Sequence, residues 1–370
     1  MSGSKLVTGG ASRRWLTPSL VILGLAVTAL RAWQLESLPV ITGDVVRNLL
    51  YGVAVRFLGV SAAASPLADL NSGWSAASWA NLPYNYPPLT LGFFTLVSAV
   101  SATVFAAKLA LTAIEAVNAV LVGRLTRSSV LGLLYWASPM SIWWVSREGQ
   151  FEPLQSLFTL LALLAVGAAP LLAGLSAACA VQVKLTAILV LPWLAWRCHS
   201  AGPRALGLLG LGFAAGLFPA LYAERAYQGV SHVFRYSTPL LYNPYYWDWS
   251  APMFTWNPGW LVLCDELASY AMLAALVTYA VRRGSVWSSA AAIGFVAICK
   301  THTNVQFWYF LLLVPLLVPI EDRRWRFALI ACVPLLDVSS IVSVFGTPIG
   351  LHGWHGLPSV HARYEPAPSP

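Results

Sequence analysis

The chain has 370 residues, of which 58% are hydrophobic and only 10% charged, and its mean hydropathy is +0.68. This composition excludes a soluble enzyme and a disordered scaffold, and the long apolar runs predict a membrane protein. The net charge of +8 is spread too thinly along the chain to indicate nucleic-acid binding. The five cysteines lie far apart with no CxxC pair, which is typical of packing residues rather than of a metal site.

At roughly 20 residues per span, the sequence predicts an all-α polytopic membrane protein with about ten to twelve transmembrane helices. Arg13 and Arg14 precede the first apolar run, so the positive-inside rule places the N-terminus in the cytoplasm. No small-residue cleavage site follows that run, and we expect it to be retained as the first helix. Residues 1–345 are predicted to form one transmembrane domain.

The first outer loop is expected over residues 39–86, with a helix over Val45–Leu58 lying flat on the membrane. The next apolar stretch, 87–127, is too long for one span. Lys108 indicates a turn within it, which leaves open either a re-entrant segment plus a helix or a helical hairpin. A second outer loop, 225–256, is rich in Tyr, Trp and Pro, and the outer tail, 346–370, is predicted to be partly disordered.

Only two of the 14 acidic residues, Glu321 and Asp322, fall on the cytoplasmic face in this arrangement. The carboxylates collect outside, and we therefore expect the chemistry there. Asp44 follows the first span directly, at a depth where a carboxylate stays ionised and still reaches a lipid-embedded substrate. It is a candidate general base. A helix N-cap or a solvated loop charge would fit the same position.

Lys184 lies between two apolar runs with no carboxylate close in sequence. An ammonium at membrane depth costs about 2.5–3.5 kcal/mol on insertion scales, so Lys184 either snorkels to the interface or binds a lipid phosphate. The other outer cations that could bind phosphate are Arg147, Arg235 and His302. The candidate ligands for a sugar or acceptor are Tyr86, Gln150, Glu152, Trp247 and Asp248. An interfacial aromatic belt is the alternative reading of the Tyr and Trp residues.

Five groups of short motifs follow one another along the chain. They are Gly43-Asp44; Asn85-Tyr86-Pro87-Pro88-Leu89-Thr90; Ser138-Pro139 with Gly149-Gln150-Phe151-Glu152; Val183-Lys184-Leu185-Thr186 with Leu191-Pro192; and His302 before Pro315. In this order they resemble the GT-C superfamily of membrane glycosyltransferases, over residues 15–320. The chain is similar both to dolichyl-phosphate-glucose glucosyltransferases and to polyprenyl-phosphomannose mannosyltransferases. Glu152 departs from the pattern, because those families often have Asp after Gly-Gln-Phe.

The resemblance implies an inverting hexosyltransferase that moves mannose or glucose from a polyprenyl or dolichyl phosphate to a lipid-linked glycan or another acceptor on the outer or luminal face. Asp44 would deprotonate the acceptor hydroxyl, and the four outer cations would stabilise the departing phosphate. A hydrolase with paired carboxylates is less natural, because Asp44 has no evident partner. No cofactor is required, although Asp44, Glu152 and Asp248 leave room for a divalent cation.

Two other classes of protein fit the same composition. A transporter or flippase of lipid-linked sugars predicts two halves related by symmetry and a polar path to the cytoplasmic face. If the chain is instead a noncatalytic membrane subunit, no single outer carboxylate is expected to be essential for its function. Arginine greatly outnumbers lysine and no Asn-x-Ser/Thr sequon occurs, which favours a multi-pass protein of a prokaryotic cell membrane over one of the endoplasmic reticulum.

Overall fold

Every regular element in the described part of the chain is a helix. The computed structural model describes residues 11–37, 39, 43–75, 77, 80–229, 231, 259–301 and 307–338. No strand occurs within these ranges. The all-α prediction is therefore confirmed.

The α-helices are numbered here in chain order. They are α1 (Ala11–Glu36), α2 (Asp44–Leu58), α3 (Leu67–Leu70), α4 (Pro88–Val100), α5 (Val104–Thr126), α6 (Ser129–Trp136), α7 (Pro139–Ser141), α8 (Glu152–Ala165), α9 (Pro170–Val181), α10 (Leu191–Ala201), α11 (Pro203–Gly216), α12 (Phe218–Tyr227), α13 (Gly259–Arg283), α14 (Val286–Thr301), α15 (Leu313–Leu317) and α16 (Arg323–Cys332). The 3-10 turns are Val60–Ala64, Ser72–Trp74, Leu185–Val190, Phe307–Leu312 and Val333–Asp337. A π-helical turn, Ile142–Arg147, follows α7 directly.

Three helices in the described ranges are long and apolar enough to cross a membrane. They are Pro18–Glu36 within α1, Val104–Thr126, and Pro203–Tyr227, which joins α11 to α12. Four further apolar helices are shorter: Pro88–Val100, Glu152–Ala165, Pro170–Val181 and Val286–Cys299. These helices fit a protein that is associated with a membrane.

The apolar stretch 87–127 folds as two helices, because α4 ends at Val100 and α5 begins at Val104. The sequence prediction that Lys108 marks the turn is wrong. Lys108 lies buried in α5, and its ammonium donates hydrogen bonds of 2.5–3.1 Å to three carbonyls at the end of α1, those of Gln34, Leu35 and Ser37. These carbonyls have few partners within their own helix, so Lys108 caps α1 and joins it to α5.

The helix predicted after Asp44 is confirmed as α2, but its predicted position on the membrane surface is wrong. All residues from Val45 to Ala54 are buried. At Gly52 an added Cβ would lie 2.5 Å from the carbonyl oxygen of Phe94, so the backbones of α2 and α4 are in direct contact. This close packing makes α2 an internal support for Asp44.

The helices α9 and α11 also pack through small residues. A Cβ added at Gly174 would lie 2.1 Å from the carbonyl oxygen of Leu209, and one at Gly212 would lie 2.1 Å from that of Leu171. Small residues permit such close approach, which stabilises helix pairs in a lipid environment. The pair positions the end of α9, three residues before Lys184.

A buried polar network joins α1 and α5 to the π-helical turn. The Arg31 guanidinium donates to the Trp136 carbonyl at 2.7 Å, the Ser141 hydroxyl at 2.8 Å and the Ser146 hydroxyl at 2.9 Å. Glu115 accepts a hydrogen bond of 2.8 Å from Tyr135 and another from Ser141. The network fixes the turn that leads to Gly149.

The two ends of α5 lie in different chemical surroundings, about 33 Å apart at 1.5 Å per residue. At its C-terminal end Arg326 donates to the Thr126 carbonyl at 3.2 Å, and Arg283 pairs with Asp322 at 2.9 Å. We call this the basic end; it also carries Arg124, Arg127, Arg323 and Arg324. The opposite end, where Lys108 meets α1, is the polar end, and it holds the predicted catalytic residue Asp44.

Candidate functional site at the polar end

Asp44 is the first residue of α2, and its carboxylate does not cap the helix. Gly43 occupies the N-cap position, and there is no side-chain capping hydrogen bond, so the interpretation of Asp44 as an N-cap is wrong. The side chain is half-buried. Its carboxylate Oδ2 lies 3.5 Å from Gln150 Nε2. Among the described residues this is the one hydrogen bond that the Asp44 side chain makes, which leaves the carboxylate available to accept a proton from a ligand.

Gln150 reaches Asp44 because Gly149 turns the backbone sharply. Gly149 has a φ of 73°, a backbone conformation that residues other than glycine rarely adopt. A Cβ there would lie 2.8 Å from Val45 Cγ2 and 3.1 Å from Lys108 Cγ. The turn follows the π-helical segment Ile142–Arg147, a type of distortion that is frequent at functional sites. Gly149 is therefore a site residue for which the sequence had predicted no separate role.

The fold gives Lys184 the counter-charge that its sequence neighbourhood lacks. Its ammonium forms a buried ion pair with Glu152, from which it is separated by 32 residues. The Lys184 Nζ also lies 3.8 Å from the centroid of the Tyr309 ring and 4.9 Å from that of Phe151, both cation–π distances. Lys184 is only 6% exposed. The interpretation of Lys184 as a lone ammonium is wrong, and its charge is largely neutralised within the protein.

Asp44 belongs to the same electrostatic cluster as the ion pair, since its charge acts on Glu152, Lys184 and Tyr309. Burial raises the pKa of the Tyr86 phenol, and the Asp44 carboxylate raises that pKa further. Tyr86 therefore remains a neutral hydrogen-bonding group across the physiological pH range. Its ring lies 4.9 Å from that of Phe151 in an edge-to-face arrangement.

Asn48 is a candidate site residue that the sequence reasoning missed. It follows Asp44 by four residues on α2, so the two side chains lie on the same helix face. Asn48 is fully buried, and among the described residues neither its amide oxygen nor its nitrogen has a hydrogen-bond partner. An unpaired buried polar group costs about 1–3 kcal/mol, so a bound water or a ligand is expected to complete its hydrogen bonds. The i, i+4 spacing with Asp44 is the sequence signal that could have found it.

Arg47 holds the segment before α4 in place. Its guanidinium donates to Asn85 Oδ1 and to the Pro83 carbonyl, both at 2.8 Å. Pro87 is extended and Pro88 begins α4. These contacts bring Tyr86 to the polar end.

The predicted phosphate-binding residue Arg147 is engaged elsewhere. Its guanidinium donates to Gln34 Oε1 at 3.1 Å and lies 4.0 Å from Glu148 Oε1. No contact in the described part of the chain joins it to Asp44 or Lys184. Four other predicted site residues lie outside the described residues: Arg235, Trp247, Asp248 and His302. The structure therefore assembles Asp44, Tyr86, Gln150, Glu152 and Lys184 out of the predicted set.

A metal ion would need ligands from beyond the described segments. Within them, no group of three His, Cys, Asp or Glu side chains is placed to hold a metal. The predicted convergence of Asp44 and Glu152 with Asp248 stays a prediction, because Asp248 is not described. Glu152 is already paired with Lys184, so it and Asp44 do not form a free pair of catalytic carboxylates.

Comparison with known proteins gives no match: neither a protein-family model, nor a curated protein, nor a solved structure is similar to this chain. The function has to be inferred from the polar end itself. There, a half-buried carboxylate with one long hydrogen bond lies beside a buried ion pair, aromatic rings and an unpaired amide. Such a set can remove a proton from a hydroxyl and bind several other hydroxyls.

Proposed function

We propose that the protein is an inverting membrane glycosyltransferase of the GT-C type. It would move a hexose, mannose or glucose, from a polyprenyl or dolichyl phosphate to a lipid-linked glycan or another acceptor on the outer or luminal face. The observation that carries the proposal is the state of Asp44, whose half-buried carboxylate makes no capping bond and lies beside Gln150. This is the arrangement expected of a general base.

A polytopic arrangement of about ten to twelve crossings belongs to this proposal. Three long apolar helices support it directly, and several short helices would cross as composite segments. The 3-10 turn Leu185–Val190, for example, continues into α10 without a break. Segments far apart in sequence also meet in the bundle. Trp144 Nε1, for example, donates a hydrogen bond of 2.6 Å to Asp337 Oδ2, 193 residues further along the chain. The cell membrane is the expected location, with the endoplasmic reticulum membrane as the alternative.

The proposed reaction is a single displacement at the anomeric carbon. The acceptor oxygen forms a bond to this carbon from the face opposite the phosphate, while the bond to the phosphate oxygen breaks. The acceptor proton passes to the Asp44 carboxylate, and the lipid phosphate leaves with the bonding electron pair. A phosphate leaving group needs little protonation, so one carboxylate is sufficient.

The cations proposed to bind the donor phosphate differ from those that the sequence predicts. Because Glu152 neutralises Lys184, the pair contributes a polar wall and Lys184 adds little net positive charge. The positive charge for the donor phosphate is then expected from Arg235 and His302. Arg147 is the weaker candidate because it is bound to Gln34. The proposed hydroxyl ligands are Asn48, Tyr86, Gln150 and Glu152, with Trp247 and Asp248 from the second outer loop.

The alternative function, a transporter or flippase of lipid-linked sugars, is favoured by one observation. Arg31 and Glu115 are buried between the two ends of the bundle, and ionisable residues at such depth often mark a transport path. However, the Arg31 nitrogens all donate to groups within the protein, which is typical of a structural role. The transferase therefore remains the better supported function.

An assay in proteoliposomes separates the two functions. The full chain is incubated with polyprenyl-phosphate mannose or glucose carrying a radiolabelled hexose, together with a lipid extract as the source of acceptor. A transferase moves the label from the polyprenyl phosphate to another molecule, whereas a flippase moves the intact donor across the bilayer. Label that remains on the polyprenyl phosphate but changes sides would contradict the proposal.

A further inference from the structure

An apolar groove runs along the helix bundle between α1, α5 and α6. Its volume is about 900 Å³, and small or apolar side chains such as Ala113, Ala116 and Leu133 line most of it. Its rim residues Leu109 and Val120 are 46% and 69% exposed, so the groove opens to the surroundings of the bundle. None of the residues assigned to the Asp44 site lines it.

Two arginines line the groove at the basic end. Arg124 and Arg127 are both exposed. Within the described residues, neither guanidinium belongs to an ion pair or a side-chain hydrogen bond. Arg31, at the deeper part of the groove, is by contrast saturated with internal hydrogen bonds. The positive charges that no described carboxylate neutralises therefore lie at one end of the apolar groove.

The groove is long enough to hold a lipid chain. From Leu109 to Arg124 the groove follows α5 for about 23 Å at 1.5 Å per residue. One leaflet of the hydrocarbon core is about 15 Å thick, half of roughly 30 Å. An acyl chain can therefore lie along the groove while its headgroup stays at the arginines. Arginine binds phosphate through paired N–H donors, so the best complement is the phosphodiester of a lipid whose headgroup has no cation to neutralise it.

We propose that this groove binds an anionic phospholipid from the leaflet at the basic end. The phosphate lies against Arg124 and Arg127, and one acyl chain extends along α5 toward Leu109. The proposal is independent of the proposed glycosyl transfer, because none of the residues assigned to the Asp44 site lines the groove.

The test is native mass spectrometry of the full chain, extracted from nanodiscs that contain either phosphatidylglycerol or phosphatidylcholine. We expect the wild type to retain one phosphatidylglycerol selectively. The double variant Arg124→Gln/Arg127→Gln should bind it about 25-fold more weakly, since each arginine near an anionic lipid surface contributes roughly a factor of five. The matched control, Arg282→Gln, removes an exposed arginine near the end of α13 that does not line the groove, and it should leave retention unchanged.

A second variant tests the groove without changing charge. Ala113→Phe fills the groove from an exposed position, where a larger side chain is compatible with folding, and should also abolish the selective retention. Equal retention of both lipids by the wild type would overturn the proposal. Retention of polyprenyl phosphate in place of phospholipid, or a groove closed by a second copy of the chain, would overturn it as well.

Discussion

Gln150 Nε2 lies 3.5 Å from Asp44 Oδ2, although 106 residues separate the two in sequence. Two residues after Gln150, Glu152 forms the ion pair with Lys184. The short segment from Gly149 to Glu152 therefore connects the proposed base to the buried ion pair. Changes to this segment, or to the residues that face it, should affect activity through the position of Asp44.

Gly149→Ala should disturb this segment. The φ of 73° and the close contact with Val45 both oppose a side chain at position 149, and such strain costs about 1–3 kcal/mol. We expect a lower thermal midpoint, measured by tryptophan fluorescence in detergent, and a loss of transfer activity. Gly167→Ala is the control, because no packed neighbour in the described part of the chain comes within 4 Å of an added Cβ there. Equal midpoints for both variants would contradict the assigned role of Gly149.

The Lys184→Met variant should be strongly destabilised. It leaves the fully buried Glu152 carboxylate without its counter-charge, which typically costs about 3–5 kcal/mol. The double variant Lys184→Met/Glu152→Gln removes both charges and should recover most of the lost stability. Thermal unfolding of the wild type and the three variants, including Glu152→Gln alone, measures this coupling. Additive effects of the two substitutions would show that the pair is not coupled.

Asn48→Leu should have opposite effects on stability and activity. Leucine replaces an amide that has no partner among the described residues, so the thermal midpoint should stay the same or rise. If Asn48 binds a substrate hydroxyl, transfer activity should fall on the order of tenfold, mainly through a higher KM for donor or acceptor. A lower midpoint with unchanged kinetics would instead assign Asn48 to folding.

Gly212→Ala should weaken the contact between α9 and α11. The new methyl group would lie 2.1 Å from the Leu171 carbonyl oxygen, so the two backbones would have to separate. In the control Gly210→Ala, two residues away on α11, the added Cβ would meet no other described segment within 4 Å. Alanine is the better helix former by about 0.5–1 kcal/mol, so this control should be neutral or slightly stabilising. The difference between the two midpoints reports the helix contact directly.

The sequence was most informative where the physical signal is local. The long apolar runs predict an all-α protein, and the segment Val45–Leu58 is predicted to be helical, as α2 is. Five candidate site residues, including Asp44 and Lys184, do come together at the polar end. Each of them follows or precedes an apolar helix, so its location at a bundle end could be read from hydropathy.

The partners of buried charges could not be predicted in the same way. Lys184 pairs with Glu152 because α8 and α9 pack side by side, and nothing in their local sequences specifies this pairing. Lys108 caps α1 from a distant helix, and a single charge within an apolar run predicts a turn when this partner is not known. Asn48 escaped notice because an unmet hydrogen bond becomes visible only once the surrounding side chains are placed.

The most direct test of the account is the effect of Asp44→Asn on lipid-linked glycans in cells. Cells that lack the gene are complemented with the wild type, with Asp44→Asn, or with the control Asp69→Asn, which alters an exposed carboxylate in α3. Mass spectrometry of the lipid-linked glycans should show one hexose missing without the gene and with Asp44→Asn, but restored by the wild type and Asp69→Asn. Full restoration by Asp44→Asn, produced at wild-type levels, would contradict the assignment of Asp44 as the base.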